Sequence, residues 1–251
     1  MRWSTLFGER IRGDGRGRAD SRELGSRFRA RTAADTPAPF PLPLTPSSRR
    51  AQHFVNTLWA KVSTGIFYPV TLVGAANLPP AGAPAVYVAN HQSFLDIYTL
   101  FWLGRPFKFI SKTSNFLIPV VGWSMFLTGH VGLNRTDRRS QLKCLADCIA
   151  LLGAGAPVLF FPEGTRSRDG ALGEFKKGAF SVAVKAGVPV VPVTLIGTGA
   201  LMPNGAEGRL YSGGGVTVVV HPPIPPSTDA AAMMAAAREA IAGPLPAAYR
   251  A

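Results

Sequence analysis

The run Asn90-His91-Gln92-Ser93-Phe94-Leu95-Asp96 holds an imidazole and a carboxylate with four residues between them. An apolar, β-prone stretch from Ala85 to Ala89 leads into it, and an apolar helical stretch from Phe94 to Leu103 follows. Along a regular helix five residues turn by roughly 500°, which would set the two side chains on different faces. They meet only if His91 stands in the turn before the helix and Asp96 reaches back from its first turn. A carboxylate on one imidazole nitrogen fixes the tautomer and makes the other nitrogen more basic, which suits a general base that deprotonates a hydroxyl. Taken alone, the pair reads more simply as a buried structural histidine and a helix-capping aspartate.

A second polar loop follows another apolar strand, Pro157 to Phe161: Pro162-Glu163-Gly164-Thr165-Arg166-Ser167. Arg166 offers planar, bidentate binding to a phosphate. Backbone N–H groups around Gly164 and Thr165 can cradle an anion. Glu163 would hold a ligand hydroxyl or pin Arg166; the plain alternative is a turn closed by a local Glu–Arg pair. There is no Gly-x4-Gly-Lys-Ser/Thr run, so a nucleotide phosphate loop is not indicated.

The elements that must position these loops are legible in outline. Phe54 to Ile66 has helical spacing, interrupted by Lys61 and ended by Pro69; it reads as an interfacial helix or an ordinary core helix. A short strand, Phe107 to Ile110, carries Lys108, and Lys112 follows it. Thr113 to Asn134 is uncharged, but Pro119, Gly122, Gly129 and Gly132 divide it. The expectation is a surface-dipping helix around Leu117 to Phe126, then a strand, His130 to Leu133, that delivers Asn134 and Arg135. Asp137 to Leu152 and Ala179 to Ala186 read as helices. Val188 to Ile196 is a buried strand whose prolines point to an irregular or edge position. Val216 to His221 is a further strand, and a last helix, Asp229 to Ala242, is expected to be capped by Ser227 or Thr228. Strands alternating with helices make an α/β sheet flanked by helices, whose ligands collect at strand ends.

Composition sets the surroundings. The 251 residues carry a net charge of +13, so the partner is anionic: nucleic acid, a membrane surface, a phosphorylated metabolite or an acidic protein. Residues 1–50 hold 11 Arg, no Lys, 5 acidic residues and a Pro-rich run, and read as a disordered basic segment, either an organelle-targeting peptide or a tail. The acidic residues count against targeting. Nucleic-acid binding is disfavoured because no aromatic residues interleave with the Arg-Gly repeats for base stacking. Cys144 and Cys148 lie one helical turn apart and read as reduced core residues, with no disulfide framework or metal site.

Four blocks, in order, resemble the glycerolipid acyltransferases, and within them the 1-acylglycerol-3-phosphate (lysophosphatidic acid) acyltransferases. They are Asn90-His91-Gln-Ser-Phe-Leu-Asp96, Gly129-His-Val-Gly-Leu-Asn-Arg135, Phe161-Pro-Glu-Gly-Thr-Arg-Ser167 and Val188-Pro-Val-Val-Pro-Val193. Gly164 to Ile224, with Phe175-Lys-Lys-Gly178 and Gly197-Thr-Gly-Ala-Leu-Met-Pro203, looks especially like plastid-type members. The resemblance implies the family's mixed sheet flanked by helices over an acyltransferase domain, residues 51–251, with a membrane-associating region at its N-terminal end. It implies that His91, oriented by Asp96, takes the proton from the sn-2 hydroxyl of lysophosphatidic acid. Glu163, Gly164, Thr165 and Arg166 would bind the glycerol phosphate, with Lys112 and Arg135 adding charge. Backbone N–H groups near the first helix would stabilise the oxyanion. No cofactor or metal is implied; an acyl carrier protein or coenzyme A thioester is the co-substrate. Leu133-Asn134 departs from the Ile-Asp of some relatives, which questions any role for Asn134. Glycerol 3-phosphate or another lysophospholipid as acceptor, and a non-catalytic basic membrane-binding protein, are the competing expectations. The location expected is a membrane, in a plastid.

Overall fold

The computed structural model describes residues 46–117, 121–211 and 213–250. The basic segment read as a targeting peptide or tail falls, up to residue 45, outside the described residues. Seven strands form one mixed sheet: β1 (Val70–Val73), β2 (Val86–Ala89), β3 (Lys108–Lys112), β4 (Val131–Leu133), β5 (Val158–Phe160), β6 (Val190–Ile196) and β7 (Val216–Val220), in the order β1-β7-β6-β2-β5-β3-β4. Only β6 and β7 pair antiparallel; the other neighbours are parallel. The helices are α1 (Pro46–Gly65), α2 (Leu95–Leu100), α3 (Val121–Leu127), α4 (Arg138–Gly153), α5 (Gly178–Ala186), α6 (Thr198–Leu201) and α7 (Ala230–Ala242).

Side chains alternate across a strand, so the central strands feed two cores. Tyr87, Ala89, Leu159, Val191 and Val193 face one, together with Ala60 of α1 and Leu95 and Leu100 of α2. Val86, Val88, Val158 and Val190 face the other, packed with Cys144 and Cys148 of α4, Phe180 of α5 and Met233 and Ile241 of α7. β2 is buried along its whole length, as a central parallel strand covered on both faces must be. Both cysteines are free and buried, as their spacing predicts.

β6 is not an edge strand, although its prolines point that way. It lies between β7 and β2 and is buried through Leu195. The reason is position. Pro192 accepts from His221 N at 3.0 Å, just past the end of β7, so the missing donor falls where the ladder is already finishing. The cap of α7 also differs: Asp229, not Ser227 or Thr228, accepts from the N–H groups of Ala231 and Ala232. Ser227 instead accepts from Asp229 N.

The stretch from Thr113 to Asn134 does break into short pieces: a 3-10 turn Thr113–Leu117, α3 and β4. Part of the helix expected around Leu117 to Phe126, residues 118–120, lies outside the described residues. Gly122 is needed there because a Cβ would stand 2.1 Å from the Phe116 carbonyl oxygen. Among the described residues no helix is long and apolar enough to cross a membrane.

α1 turns its large apolar residues outward. Phe54, Leu58, Trp59 and Val62 are exposed, as is Ile66 just past its end, whereas Ala60 and Thr64 are buried. Thr64 Oγ1 accepts from Trp102 Nε1 at 2.9 Å, and His53 packs on Phe101. The helix therefore docks through small and polar groups, opposite to the arrangement of a core helix.

Candidate active site

β2 and β5 are parallel neighbours, with Val88 beside Phe160, so the loops leaving their C-terminal ends open side by side. Asn90 extends β2 with its side chain: Nδ2 donates to Leu195 O at 2.9 Å and Oδ1 accepts from Leu195 N at 2.7 Å. The main chain is thereby released to turn at His91. His91 Nδ1 lies 2.8 Å from Asp96 Oδ2, and the same oxygen accepts from the N–H groups of Gln92 at 2.8 Å and Ser93 at 2.9 Å. Asp96, fully buried in the first turn of α2, thus reaches back to organise the turn. An ionised carboxylate only accepts, so Nδ1 carries the proton and Nε2 keeps its lone pair for a substrate. The His91 ring is stacked on Phe161, with centroids 3.9 Å apart and planes 15° apart.

Two further bonds tie the turn to the second loop. His91 N donates to Glu163 Oε1 at 2.8 Å, and Ser167 N donates to His91 O at 2.8 Å. Glu163 Oε2 accepts from Gly173 N at 3.0 Å. Burial pushes the Glu163 carboxyl above the ordinary glutamate range, and the two backbone donors oppose that shift. Of the backbone N–H groups near the first helix, those of His91, Gln92 and Ser93 are committed to Glu163 and Asp96.

A cleft of about 520 Å³ opens beside His91. Of the residues singled out in the sequence, Lys112, Arg135, Gly164, Thr165 and Arg166 line it with His91. Asp96 stands behind His91 and Glu163 sits buried under the turn. The local Glu163–Arg166 pair does not form: Glu163 is turned inward to backbone N–H groups, and Arg166 Nη1 pairs with Glu207 at 2.6 Å. Asn134 closes the turn before α4, with Oδ1 accepting from Thr136 and its N–H donating to Ser140. Phe161 and Lys176 stand in the sequence only as members of family-like runs, without a site role, and Glu207 stands in none. Phe161 was legible as the last apolar residue of its strand, but its stacking partner comes from another strand end. Nothing local marks Glu207 as a partner for an arginine 41 residues away.

Comparison with known proteins bears on this geometry. A family model described as Acyltransferase matches residues 69–196. A 1-acyl-sn-glycerol-3-phosphate acyltransferase of Chlamydomonas reinhardtii is 66% identical over 209 residues, covering 83% of this chain and 63% of the relative. A chloroplastic 1-acyl-sn-glycerol-3-phosphate acyltransferase of Arabidopsis thaliana is 58% identical over 175 residues, 70% of this chain and 49% of its own. The chain thus spans half to two thirds of the length of these relatives. The crystal structure of the 1-acyl-sn-glycerophosphate acyltransferase PlsC from Thermotoga maritima superposes with a TM-score of 0.69 at 30% identity, over 87% of this chain and 83% of that one.

Proposed function

The chain belongs to the acyltransferase family, and on that footing we propose that it moves an acyl group from a thioester to the sn-2 hydroxyl of lysophosphatidic acid, giving phosphatidic acid. The observation that carries the reading is the 2.8 Å bond between His91 Nδ1 and Asp96 Oδ2, which leaves Nε2 as base at the edge of a cleft lined by cations. Nε2 accepts the hydroxyl proton as the oxygen bonds to the thioester carbonyl carbon. Asp96 holds the imidazolium that results. The tetrahedral centre collapses, the C–S bond breaks, and the thiolate leaves with the proton from Nε2. No acyl-enzyme is needed. Lys112, Arg135 and Arg166 supply charge for the acceptor's phosphate, and the Gly164–Thr165 backbone approaches it closely. Relatives named for this acceptor, at 66% and 58% identity, support the choice.

The acyl donor in this reading is an acyl carrier protein or coenzyme A thioester. Attachment is to a membrane surface through the outward apolar face of α1 and the turn that follows it, where Trp59 and Phe67 are 67% and 61% exposed. The chloroplastic relative supports a plastid membrane as the location.

The test is an assay of the full chain with lysophosphatidic acid and both thioester types, with His91→Ala alongside. Wild type should form phosphatidic acid, and the variant should lose roughly 10²- to 10⁴-fold in kcat, the usual contribution of a positioned base. Turnover of glycerol 3-phosphate but not lysophosphatidic acid would keep the chemistry and overturn the acceptor. Turnover of neither by folded protein in lipid would favour a binding-only role.

A further inference from the structure

We propose that Lys176 is a ligand of the acceptor's phosphate, shared with Arg166 across the Gly164–Thr165 backbone; the inference rests on the reaction proposed above. Lys176 lines the same cleft as His91, Thr165 and Arg166. Its root is fastened to the phosphate-facing loop, because Lys176 N donates to Pro162 O at 2.9 Å. Its stem then lies over Gly164. A Cβ at Gly164 would stand 2.8 Å from Nζ, 3.2 Å from Cε and 3.3 Å from Cδ, so the ammonium occupies the space that the missing side chain leaves. Gly164 also has φ +75°, a conformation that favours glycine in its own right. The connection from β5 to α5 is therefore folded so that a cation near its end lies against bare backbone near its start.

Among the described residues the charge is not spent on an acid. Among the described residues the ion pairs are His91–Asp96, Lys143–Asp147 and Arg166–Glu207, and Lys176 is in none of them. The acid beneath the loop, Glu163, has each oxygen occupied by a backbone N–H. Arg166 by contrast already gives one N–H to Glu207. Lys176 is thus the cation on this loop with its whole charge facing the cleft. An ammonium is a compact point charge with three donors, and it complements a guanidinium fork on the remaining phosphate oxygens. Its neighbour Lys177 does not line the cleft and serves as an internal control.

Three variants test this. Lys176→Met keeps the stem over Gly164 and removes the charge, Lys176→Arg restores a charge, and Lys177→Met removes an adjacent charge outside the cleft. Lys176→Met should raise KM for lysophosphatidic acid about tenfold or more, as loss of a charge-assisted hydrogen bond would, with kcat changed by less than about twofold. It should raise the inhibition constant of glycerol 3-phosphate, a soluble phosphate probe, by a similar factor. Lys176→Arg should recover most of both, and Lys177→Met should match wild type. Unchanged KM and inhibition constant in Lys176→Met, beside an active wild type, overturn this inference and leave the reaction standing. A fall in kcat at constant KM makes Lys176 a prop for the loop and also overturns it. Equal losses in Lys177→Met indicate general attraction of anions and overturn it too. A wild type that acylates no phosphate-bearing acceptor removes the reaction, and this inference with it.

Discussion

Glu163 shows what a residue's surroundings add to its type. In sequence it reads as a hydroxyl or arginine partner in a substrate loop. In the fold it is buried, with one oxygen on His91 N and the other on Gly173 N. That makes it a clamp on the turn that carries His91. Glu163→Gln offers one acceptor oxygen in place of two and sets an NH₂ against a backbone N–H. The substitution should lower stability by roughly 1–3 kcal/mol, the cost of leaving a buried donor unsatisfied. It should lower kcat by about tenfold or more through a misplaced imidazole, with KM for the acceptor nearly unchanged. Thermal unfolding and steady-state kinetics on one preparation check both. A rise in KM alone would return Glu163 to the role of substrate ligand. The His91–Asp96 pair was legible because its geometry follows from a strand, a turn and a helix that are contiguous. The Glu163 bond was not, because its partner is 72 residues away.

At the scale of elements, α1 separates two kinds of surface that a helical pattern alone cannot distinguish. Its apolar spacing is clear in the sequence, but the side that packs on the domain is set by Ala60 and Thr64, which look unremarkable there. The apolar face left outside predicts adsorption to lipid. Replacing Phe54, Trp59 and Ile66, which are 67%, 67% and 75% exposed, with Ser should leave the unfolding temperature close to that of wild type. The same change should weaken sedimentation with anionic phospholipid vesicles by tenfold or more, on the order of one buried apolar side chain at the least. Undiminished vesicle binding would place the membrane contact elsewhere. β6 teaches the complementary lesson. Its prolines count against an interior strand only if the missing donors face a continuing partner, and that depends on where β7 stops, which no local pattern shows.

Across the whole molecule, the site sits at the C-terminal ends of the central strands β2 and β5, and buried basic groups lie beside β3. His130 Nδ1 accepts from Phe109 N at 2.9 Å, and burial, then the nearby Lys108 and His53, push its pKa down to about 3. His53 is lowered to about 4, by burial and then Lys108. Both fall below the 6.5 of an unperturbed histidine, so between pH 6.5 and those values the unfolded chain binds protons that the fold refuses. Stability is then fully present above pH 6.5 and is lost as pH falls. Denaturant titrations at pH 7 and pH 5 should differ by on the order of 1–2 kcal/mol from His130. His130→Asn, which keeps an acceptor for Phe109 N, should flatten that difference, and an equally steep loss in the variant would assign it to other groups. The alternation of strands and helices, and both polar loops at strand ends, were readable from apolar runs and their breakers. Strand order was not, since β1 beside β7 joins segments from opposite ends of the domain.

His91 is held at both its N–H and its carbonyl by the loop that also presents Thr165 and Arg166. The imidazole and Arg166 therefore form a calliper of fixed span, braced by the Glu163 side chain and by one main-chain bond. For a glycerol phosphate gripped at the phosphorus, such a span counts carbons. In the proposed reaction it would select which hydroxyl meets His91 by distance along the acceptor, whatever acyl chain the rest of the cleft accommodates.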